Sequence, residues 1–202
     1  MPLEAAAHRD RLLKALEQAI PGPNDEYTLS AMLIPVIARI TGETDSLDLA
    51  QETAQAVITS PHATPFMVGW ATAGLPFLAV QKGDSDAVRE HYPVLVSQRN
   101  ALLIIFNVTA DRILGLLSHT MGELDQAVDH FEAAMAFCNR ASYRSELAWT
   151  CCDYSDMLRE RDGEGDLAKA VSLLDESLAI SSELGMRPLM ERVLSRREIS
   201  KA

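Results

Sequence analysis

Two adjacent cysteines, Cys151 and Cys152, are the first residues whose types suggest chemistry, because thiol pairs bind metals and exchange disulfides. Their spacing argues against both uses. Neighbouring residues on a helix point about 100° apart, so the two thiols cannot chelate one ion as a C-x-x-C pair does. The third cysteine, Cys138, makes the number odd, which gives no disulfide framework. We therefore expect the cysteines to pack in the core of a protein from a reducing cytoplasm.

Histidines and carboxylates give a second candidate, a metal site. His119 and His130 are expected on helices that pack together, and Asp129 and Glu132 are close to them in sequence. No two histidines stand four residues apart on one helix, which is the usual arrangement of a helical zinc site. The acidic run RERDGEGD (159–166) lacks the D-x-D-x-D-G spacing with a distal Glu that calcium loops have. We expect no bound metal, and we interpret this run as a solvated loop.

Motifs for catalysis or cofactor binding do not occur in the chain. Ser, His and Asp are present, but there is no G-x-S-x-G nucleophile elbow. There is no G-x-x-x-x-G-K-[ST] phosphate loop and no G-x-G-x-x-G after a strand. The sequence therefore predicts neither an enzyme nor a cofactor. An unrecognised enzyme stays open as a third reading, which a strongly perturbed His or Asp pair in a cleft would favour.

The charge of the chain restricts its partners. Its 202 residues carry 18 Lys and Arg against 29 Asp and Glu, a formal net charge of −11. Such a field repels a phosphate backbone, so direct binding of nucleic acid is not expected. The first twenty residues contain three basic side chains where a signal peptide would be apolar. No apolar run approaches the roughly 20 residues of a membrane span. We expect a cytoplasmic protein without membrane contact.

Repeated helices must position whatever site the chain has. The segment MGELDQAVDHFEAAM (121–135) reads as a glycine turn followed by a helix with apolar residues at i, i+3, i+4 and i+7. The pattern recurs 43 residues later in GDLAKAVSLLDESLAISSEL, and weaker copies precede it. The turn glycines of the four copies are Gly42, Gly83, Gly122 and Gly165. A spacing of about 40 residues with two helices per unit predicts a helical repeat array.

The apolar periodicity predicts ten helices and no strand. We expect helices near residues 3–20, 28–41, 46–59, 64–82, 85–98, 101–120, 124–138, 143–161, 166–184 and 188–200. The run ALLIIFNV (101–108) is interpreted as the start of a buried helix, because it continues into the helical spacing of TADRILGLL. Pro35, Pro76 and Pro93 fall inside helical patterns and should each kink or shorten the helix.

A resemblance to tetratricopeptide repeats is visible in residues 114–134. The matching residues are Leu114, Gly115, Gly122, Ala127, Phe131 and Ala134. Gly115 and Ala127 would let two helices approach closely, and Phe131 would fill the space between successive pairs. The tryptophan and tyrosine of the consensus are replaced by Asp111 and Ser118, and units of about 40 residues exceed the usual 34.

The resemblance implies an all-α fold, a right-handed α-α superhelix of antiparallel helix pairs. We expect a single helical-repeat domain over residues 1–202. Its units are predicted near 28–60, 64–98, 101–139 and 143–185, with terminal helices at 3–20 and 188–200.

The longer unit and residues 147–186 narrow the resemblance. They look like the C-terminal repeats of large bacterial signalling ATPases, whose polypeptides also carry a class III nucleotide cyclase domain or a LuxR-type DNA-binding domain like that of the maltose regulator. The ATPase, cyclase and DNA-binding motifs are not in this sequence, so those activities do not carry over to it.

A groove lined by the first helix of each pair is what the tetratricopeptide resemblance implies for binding. Counting back from Gly83 and Gly122 places eight residues in it: Trp70, Ala73, Phe77, Val80, Thr109, Arg112, Leu116 and His119. For the fourth unit we assume a three-residue insertion in the loop, which adds Trp149, Cys152, Asp156 and Arg159. We select Trp70, Phe77, Arg112, His119, Trp149, Asp156 and Arg159 as candidate binding residues, because tryptophan and arginine commonly anchor binding surfaces. The alternative is that both tryptophans belong to the core between repeats.

Binding or regulation is therefore the expected role. The leading hypothesis is a protein-interaction module that senses or transmits a signal inside a larger bacterial regulator, with a protein or a neighbouring domain as its partner. The alternative is a sensor that binds a small effector in the groove. An open groove rimmed with Trp and Arg would favour the first, and a closed pocket with converging polar groups would favour the second.

Overall fold

The computed structural model describes residues 2–103 and 106–199, and over these residues the protein is all-α apart from one short β-hairpin. The helices are α1 (Pro2–Gln18), α2 (Asp25–Thr41), α3 (Leu47–Ile58), α4 (Pro65–Ala73), α5 (Leu75–Lys82), α6 (Ser85–Val96), α7 (Ala110–Met121), α8 (Leu124–Ala141), α9 (Arg144–Arg161), α10 (Asp166–Glu183) and α11 (Arg187–Ile199). The strands are β1 (Leu102–Leu103) and β2 (Val108–Thr109), which pair antiparallel.

The chain divides into two compact units, unit 1 (Met1–His91) and unit 2 (Tyr92–Ala202), and the boundary falls within α6. Two apolar clusters form the core of unit 1. One joins α1, α2, α3 and α5 around Ile34 and Leu78, and the other joins α2, α3 and α4 around Val57 and Ala71. The expectation of one repeat domain over the whole chain stays a prediction.

Most predicted helices are present with ends within three residues of the expected positions, and the predicted turn glycines adopt the left-handed conformation. Gly122 has φ +80° and its N–H caps α7 by donating to the carbonyls of Ser118 and His119. Gly165 also has a positive φ, +81°, but it lies directly before α10 instead of ending α9. The residue that ends α9 is Asp162, which is itself left-handed. A side chain at either glycine would be strained.

The predicted helix over 101–120 is wrong in its first half. The described part of that segment forms the β1–β2 hairpin, and the helix begins only at Ala110. Thr109 fixes this start, since its hydroxyl accepts a hydrogen bond from the N–H of Arg112. Asn100 and Asn107 adopt positive φ and turn the chain before and within the hairpin. A continuous apolar run suits a buried strand as well as a buried helix, and periodicity alone does not distinguish them.

The single helix predicted over 64–82 is wrong in its continuity, because it divides at Gly74 into α4 and α5, and the expectation that Pro76 interrupts the helical pattern is confirmed. Pro76 has no N–H to donate to Thr72, which interrupts the helical hydrogen bonds there. A Cβ added to Gly74 would lie 2.3 Å from the carbonyl oxygen of Ala31 in α2. That carbonyl lacks its usual helical donor because the residue four positions on is Pro35. α2 nevertheless runs through Pro35 unbroken, and the backbone of Gly74 packs against the carbonyl that this proline leaves free.

Helical hairpins build unit 2. α7 and α8 run antiparallel, with Gly115 against Phe131, and α9 and α10 do the same. Phe131 is fully buried, and its ring stacks on Tyr154 of α9 at a centroid distance of 5.3 Å. The prediction that Phe131 is buried between helix pairs is therefore confirmed. The tetratricopeptide-like superhelix itself stays a prediction.

Among the helices of the described residues, none is both long enough and apolar enough to cross a bilayer.

Candidate functional site

The candidate site in unit 2 is the surface formed by α7, α9 and α11, which we call the first-helix face. Its residues are His119, Trp149, Asp156, Arg159, Glu160, Arg192 and Arg196. Side chains reach across this face from each helix to the next, so a residue on α9 has partners on both α7 and α11. The hairpin turns at Gly122 and at residues 162–165 return the chain so that these helices become neighbours.

Beneath this face lies a buried network in which one arginine holds two carboxylates. Arg112 Nη1 donates to Glu146 Oε2 at 2.8 Å, and its Nε donates to Asp153 Oδ2 at 2.9 Å. The other oxygen of Glu146 accepts hydrogen bonds from the backbone N–H and the hydroxyl of Thr109 at 2.9 and 3.2 Å. Arg112 is only 3% exposed, so the sequence-based expectation that it contacts a partner needs correction: it is a structural residue.

Electrostatics within the network follow from burial and pairing. Burial would lower the pKa of Arg112, but its two carboxylate partners outweigh this effect and its pKa lies above the ordinary value. Burial raises the pKa of Glu146, and the hydrogen bonds from Arg112 and Thr109 oppose that rise without cancelling it. The arginine is therefore charged under all ordinary conditions and orders the start of α9 against α7.

Trp149 is the half-buried centre of the first-helix face. The guanidinium carbon of Arg112 lies 5.5 Å from its ring centroid, and that of Arg192 lies 5.2 Å away. Both distances suit cation–π attraction. The indole thus contacts the cation of Arg112 on α7 and the cation of Arg192 on α11, while part of its surface stays accessible.

Charged pairs continue the face toward the other ends of the helices. His119 Nε2 lies 2.7 Å from Glu160 Oε2, and Asp156 pairs with both ends of the Arg196 guanidinium. Arg159 donates to the backbone carbonyl of Arg196 at 3.3 Å. The structure therefore brings His119, Trp149, Asp156 and Arg159 to one surface, all of them half-buried.

Unit 1 holds the other two predicted site residues, and it places them differently. Phe77 is 2% exposed and belongs to the interior, which corrects the expectation that it lines a groove. Trp70 is half-buried on α4, and its ring centroid lies 4.8 Å from that of Phe66, which is 63% exposed.

The residues considered for metal binding have separate partners. His119 faces Glu160, whereas the Nε2 of His130 lies 2.7 Å from the Tyr92 hydroxyl and its Nδ1 lies 3.6 Å from Asp111. In the part of the chain that the structure describes, no three His, Cys, Asp or Glu side chains converge on a point where an ion could sit.

The three cysteines are buried and reduced. Burial raises the pKa of the Cys138 and Cys152 thiols to about 12, and it raises the pKa of Cys151 further. Thiols with such pKa values are almost entirely protonated at neutral pH and are poor nucleophiles and metal ligands.

Sequence reasoning missed four residues that complete this part of the molecule: Arg192, Arg196, Tyr154 and Lys169. Arg196 follows Asp156 by 40 residues, which is the repeat spacing itself, so continuing the register into α11 would have found it. Tyr154 donates to Glu132 and stacks on Phe131, and Lys169 lies over its ring at 4.8 Å. No local pattern marks that cluster, because its members come from three helices.

Comparison with known proteins gives no match to the chain among protein-family models, curated proteins or solved structures.

Proposed function

We propose that the chain is a non-catalytic protein-interaction and regulatory repeat module, and that the first-helix face of unit 2 is its working surface. The partner is another protein or a neighbouring domain of a larger signalling protein in the cytoplasm, and nucleic acid is not bound directly. The resemblance to the C-terminal repeats of bacterial signalling ATPases supports a place in a signalling or transcriptional regulator.

The spacing of the side-chain pairs supports a tetratricopeptide-like superhelix in unit 2. Arg112 and Asp153 are 41 residues apart, His119 and Glu160 are also 41 apart, and Asp156 and Arg196 are 40 apart. Successive first helices thus meet at an offset equal to the repeat length in the sequence. Contacts of this kind between nearest neighbours are what a stacked repeat array requires.

The observation that carries the proposal is that Trp149 is half-buried and surrounded by arginines. A half-buried indole is a common anchor of protein interfaces, and planar guanidinium groups bind carboxylates with two parallel hydrogen bonds. Arg159 shares the surface, and it donates a hydrogen bond to the backbone carbonyl of Arg196 rather than to a carboxylate. This combination suits a partner segment that carries acidic and aromatic residues.

The state of the reactive side chains supports a role without catalysis. The thiols are protonated and buried, and His119 is paired with Glu160 on an otherwise open surface. Catalytic groups usually combine a perturbed pKa with access to a cleft.

A peptide titration tests this proposal. In a Trp70→Phe background Trp149 is the sole indole, so its fluorescence reports the first-helix face. The probe is a tryptophan-free 14-residue peptide rich in Glu and Phe, and the control is the same peptide with Lys in place of Glu, both at about 0.15 M salt. We expect a saturable change with the acidic peptide alone, weakened about 5- to 30-fold by Arg159→Ala. Equal binding of both peptides, or no effect of Arg159→Ala, would contradict the proposal.

A cleft in unit 1 gives some support to a second candidate function, the binding of a small effector. It has a volume of about 220 Å³ and lies between α3, α5 and α6, with Gln55, Ile58, Leu78, Lys82, Glu90 and His91 among its lining residues. Burial lowers the pKa of His91, although Glu90 and Asp84 oppose this. The volume is below the roughly 300–1,000 Å³ of sites for drug-sized ligands, so only a small metabolite would fit.

Thermal unfolding with a panel of free amino acids and short amines tests the second function. A bound ligand at 100 times its Kd should stabilise unit 1 by about 2.7 kcal/mol, and His91→Ala should reduce that stabilisation. A panel that leaves the melting temperature unchanged would remove this candidate.

A further inference from the structure

The helix α4 presents an apolar face that the rest of the described chain covers only in part. Its sequence, PFMVGWATA, contains no charged residue. Met67 and Ala71 point inward and pack against the cluster formed with α2 and α3. The opposite face consists of Phe66, Gly69, Trp70 and Ala73, which recur at i, i+3, i+4 and i+7 and are exposed or half-buried.

Two aromatic rings dominate this outward face. Phe66 is 63% exposed, and its ring lies 4.8 Å from that of Trp70 at an interplanar angle of 40°. A single exposed apolar side chain needs no explanation, but an adjacent Phe and Trp on an uncharged helix form a contiguous patch of the kind that marks interaction sites. Trp is also the residue type most enriched among interface hot spots.

Gly69 lies between the two rings and is not explained by contacts within the chain. A Cβ at this position would meet no atom within 4 Å, so no neighbour requires glycine there. Glycine inside a helix is less favourable than alanine, because its backbone loses more conformational freedom on folding. A partner backbone seated between Phe66 and Trp70 would account for the missing side chain, because only glycine leaves room for such a close approach.

The charges around α4 indicate what kind of partner fits. Residues 1–91 carry six Lys and Arg against twelve Asp and Glu, a formal charge of −6. Three helices contact α4, and two of them, α2 and α3, expose four carboxylates: Asp25, Glu26, Asp48 and Glu52. Lys82 of α5 pairs with Asp48 at 2.6 Å, and Arg39 is the other basic residue of these three helices, so their summed charge stays negative. A second copy of the chain or an anionic membrane would bring like charge to this rim.

We propose that the outward face of α4 docks an amphipathic helix of another protein, one whose apolar stripe is flanked by lysine or arginine. The stripe packs over Phe66 and Trp70 and approaches closely at Gly69, and the basic flanks face the carboxylates of α2 and α3. This surface is distinct from the first-helix face of unit 2, which suits an acidic segment.

Fluorescence anisotropy of labelled synthetic peptides tests the docking. The probe is an 18-residue helix with Leu at i, i+3, i+4 and i+7 positions and Lys on the flanks. One control peptide has Glu flanks, and a second has the same composition with the Leu stripe scrambled. We expect saturable binding of the Leu/Lys helix to the full chain, at least about 30-fold weaker for a Phe66→Ala/Trp70→Ala variant.

Two further variants separate docking from folding. Gly69→Gln adds a good helix former that fills the open space, so the melting temperature should hold or rise while peptide binding falls about 10-fold or more. Leu167→Ala removes an apolar side chain of matching exposure, 62%, from α10 in unit 2, and peptide binding should not change.

Several outcomes would overturn the proposal. Equal binding of the Glu-flanked or scrambled peptide would remove the stated partner chemistry, and binding unaffected by Gly69→Gln would remove the close approach. Self-association that Phe66→Ala/Trp70→Ala abolishes would make a second copy the occupant. Stronger binding to phosphatidylserine vesicles than to the peptide would make it a membrane. None of these outcomes bears on Arg159 and Trp149, so the function proposed for unit 2 stands or falls separately.

Discussion

The two tryptophans of this chain occupy opposite surroundings. Trp149 in unit 2 has the guanidinium carbons of Arg112 and Arg192 at 5.5 and 5.2 Å from its ring centroid, on a face crossed by ion pairs. Trp70 in unit 1 lies beside Phe66 on a helix without charge. The sequence predicts the same register for both. The difference shows that the side chains around a tryptophan in the folded structure, rather than its position in a repeat, determine which kind of partner it can bind.

The glycines of the two units differ in the same way. A Cβ at Gly115 in α7 would lie 2.9 Å from the ring of Phe131, whereas a Cβ at Gly69 in α4 would meet nothing. Gly115 is thus required by a contact already present within unit 2. Gly69 has no such requirement in unit 1, and its explanation must be sought in a contact outside the chain.

The largest effect is expected for the buried arginine of unit 2. Arg112→Ala leaves the carboxylates of Glu146 and Asp153 buried without their cation, which should destabilise unit 2 by about 3–5 kcal/mol. Urea unfolding followed by circular dichroism measures this change. Arg159→Ala, on the surface above, should cost less than about 1 kcal/mol. If the two variants unfold alike, the network does not organise unit 2.

The next effect has opposite signs in the two units. Gly115→Ala should destabilise by about 1–3 kcal/mol, because the new methyl group overpacks against Phe131. Gly69→Ala should stabilise by about 0.5–1 kcal/mol, because it improves helix propensity in open space. Paired thermal melts of the two variants check both signs, and a shift in the same direction would contradict the comparison.

A pH dependence should distinguish the ion-paired region of unit 2. The hydrogen bonds from Arg161 lower the pKa of Asp166 from 3.8 to about 2. A lowered carboxyl pKa stabilises the folded state above the unfolded value and loses that contribution as pH falls toward about 2. Wild type should therefore be more stable than Asp166→Asn at pH 6, and the difference should shrink toward pH 2. A difference that stays constant with pH would argue against this ion pair.

The smallest effect is expected at the cation over the exposed part of Trp149. Arg192→Ala removes one cation–π contact, which is worth about 0.5–1 kcal/mol at accessible sites. In a Trp70→Phe background, where Trp149 is the remaining tryptophan, Arg192→Ala should shift the fluorescence emission. In a Trp149→Phe background, where Trp70 remains, Arg192→Ala should leave the emission unchanged. A tryptophan signal that is unchanged in both backgrounds would place Arg192 away from the ring.

The helices α8, α9 and α10 of unit 2 are the part that the sequence predicts well. Their apolar periodicity and glycine turns can be read from short stretches of sequence, and tertiary packing does not override them. α8, α9 and α10 therefore begin within one residue of the expected positions. Phe131 and Gly115 are also in the predicted contact. At 64–82 the sequence indicates an interruption at Pro76, but the break at Gly74 also involves the close approach of α2, which is non-local. At 101–120 the apolar run suits a strand or a helix, so the local pattern is ambiguous.

The candidate site is less accessible to sequence reasoning. Predicting which side of a helix faces a neighbour places Trp149, Asp156 and Arg159 on one surface, but it does not reveal how deeply each is buried. The sequence also predicts Arg112 and Phe77 as groove residues, but both are buried. Two carboxylates from α9 enclose the arginine in unit 2, and the phenylalanine lies in the interior of unit 1. Charged residues are rarely buried unless paired, and the two pairs of Arg112 join residues 34 and 41 positions apart.

The attachment of α11 to the rest of unit 2 has a consequence for the order of unfolding. α11 buries Leu189 and Val193, and Arg192 and Arg196 connect it to Trp149 and Asp156 of α9 by electrostatic contacts that are partly solvated. Salt shortens the range of such attractions, to about 3 Å at 1 M, while it leaves apolar packing intact. Amide hydrogens of α11 should therefore exchange faster as ionic strength rises, while those of α7 to α9 around Phe131 keep their protection.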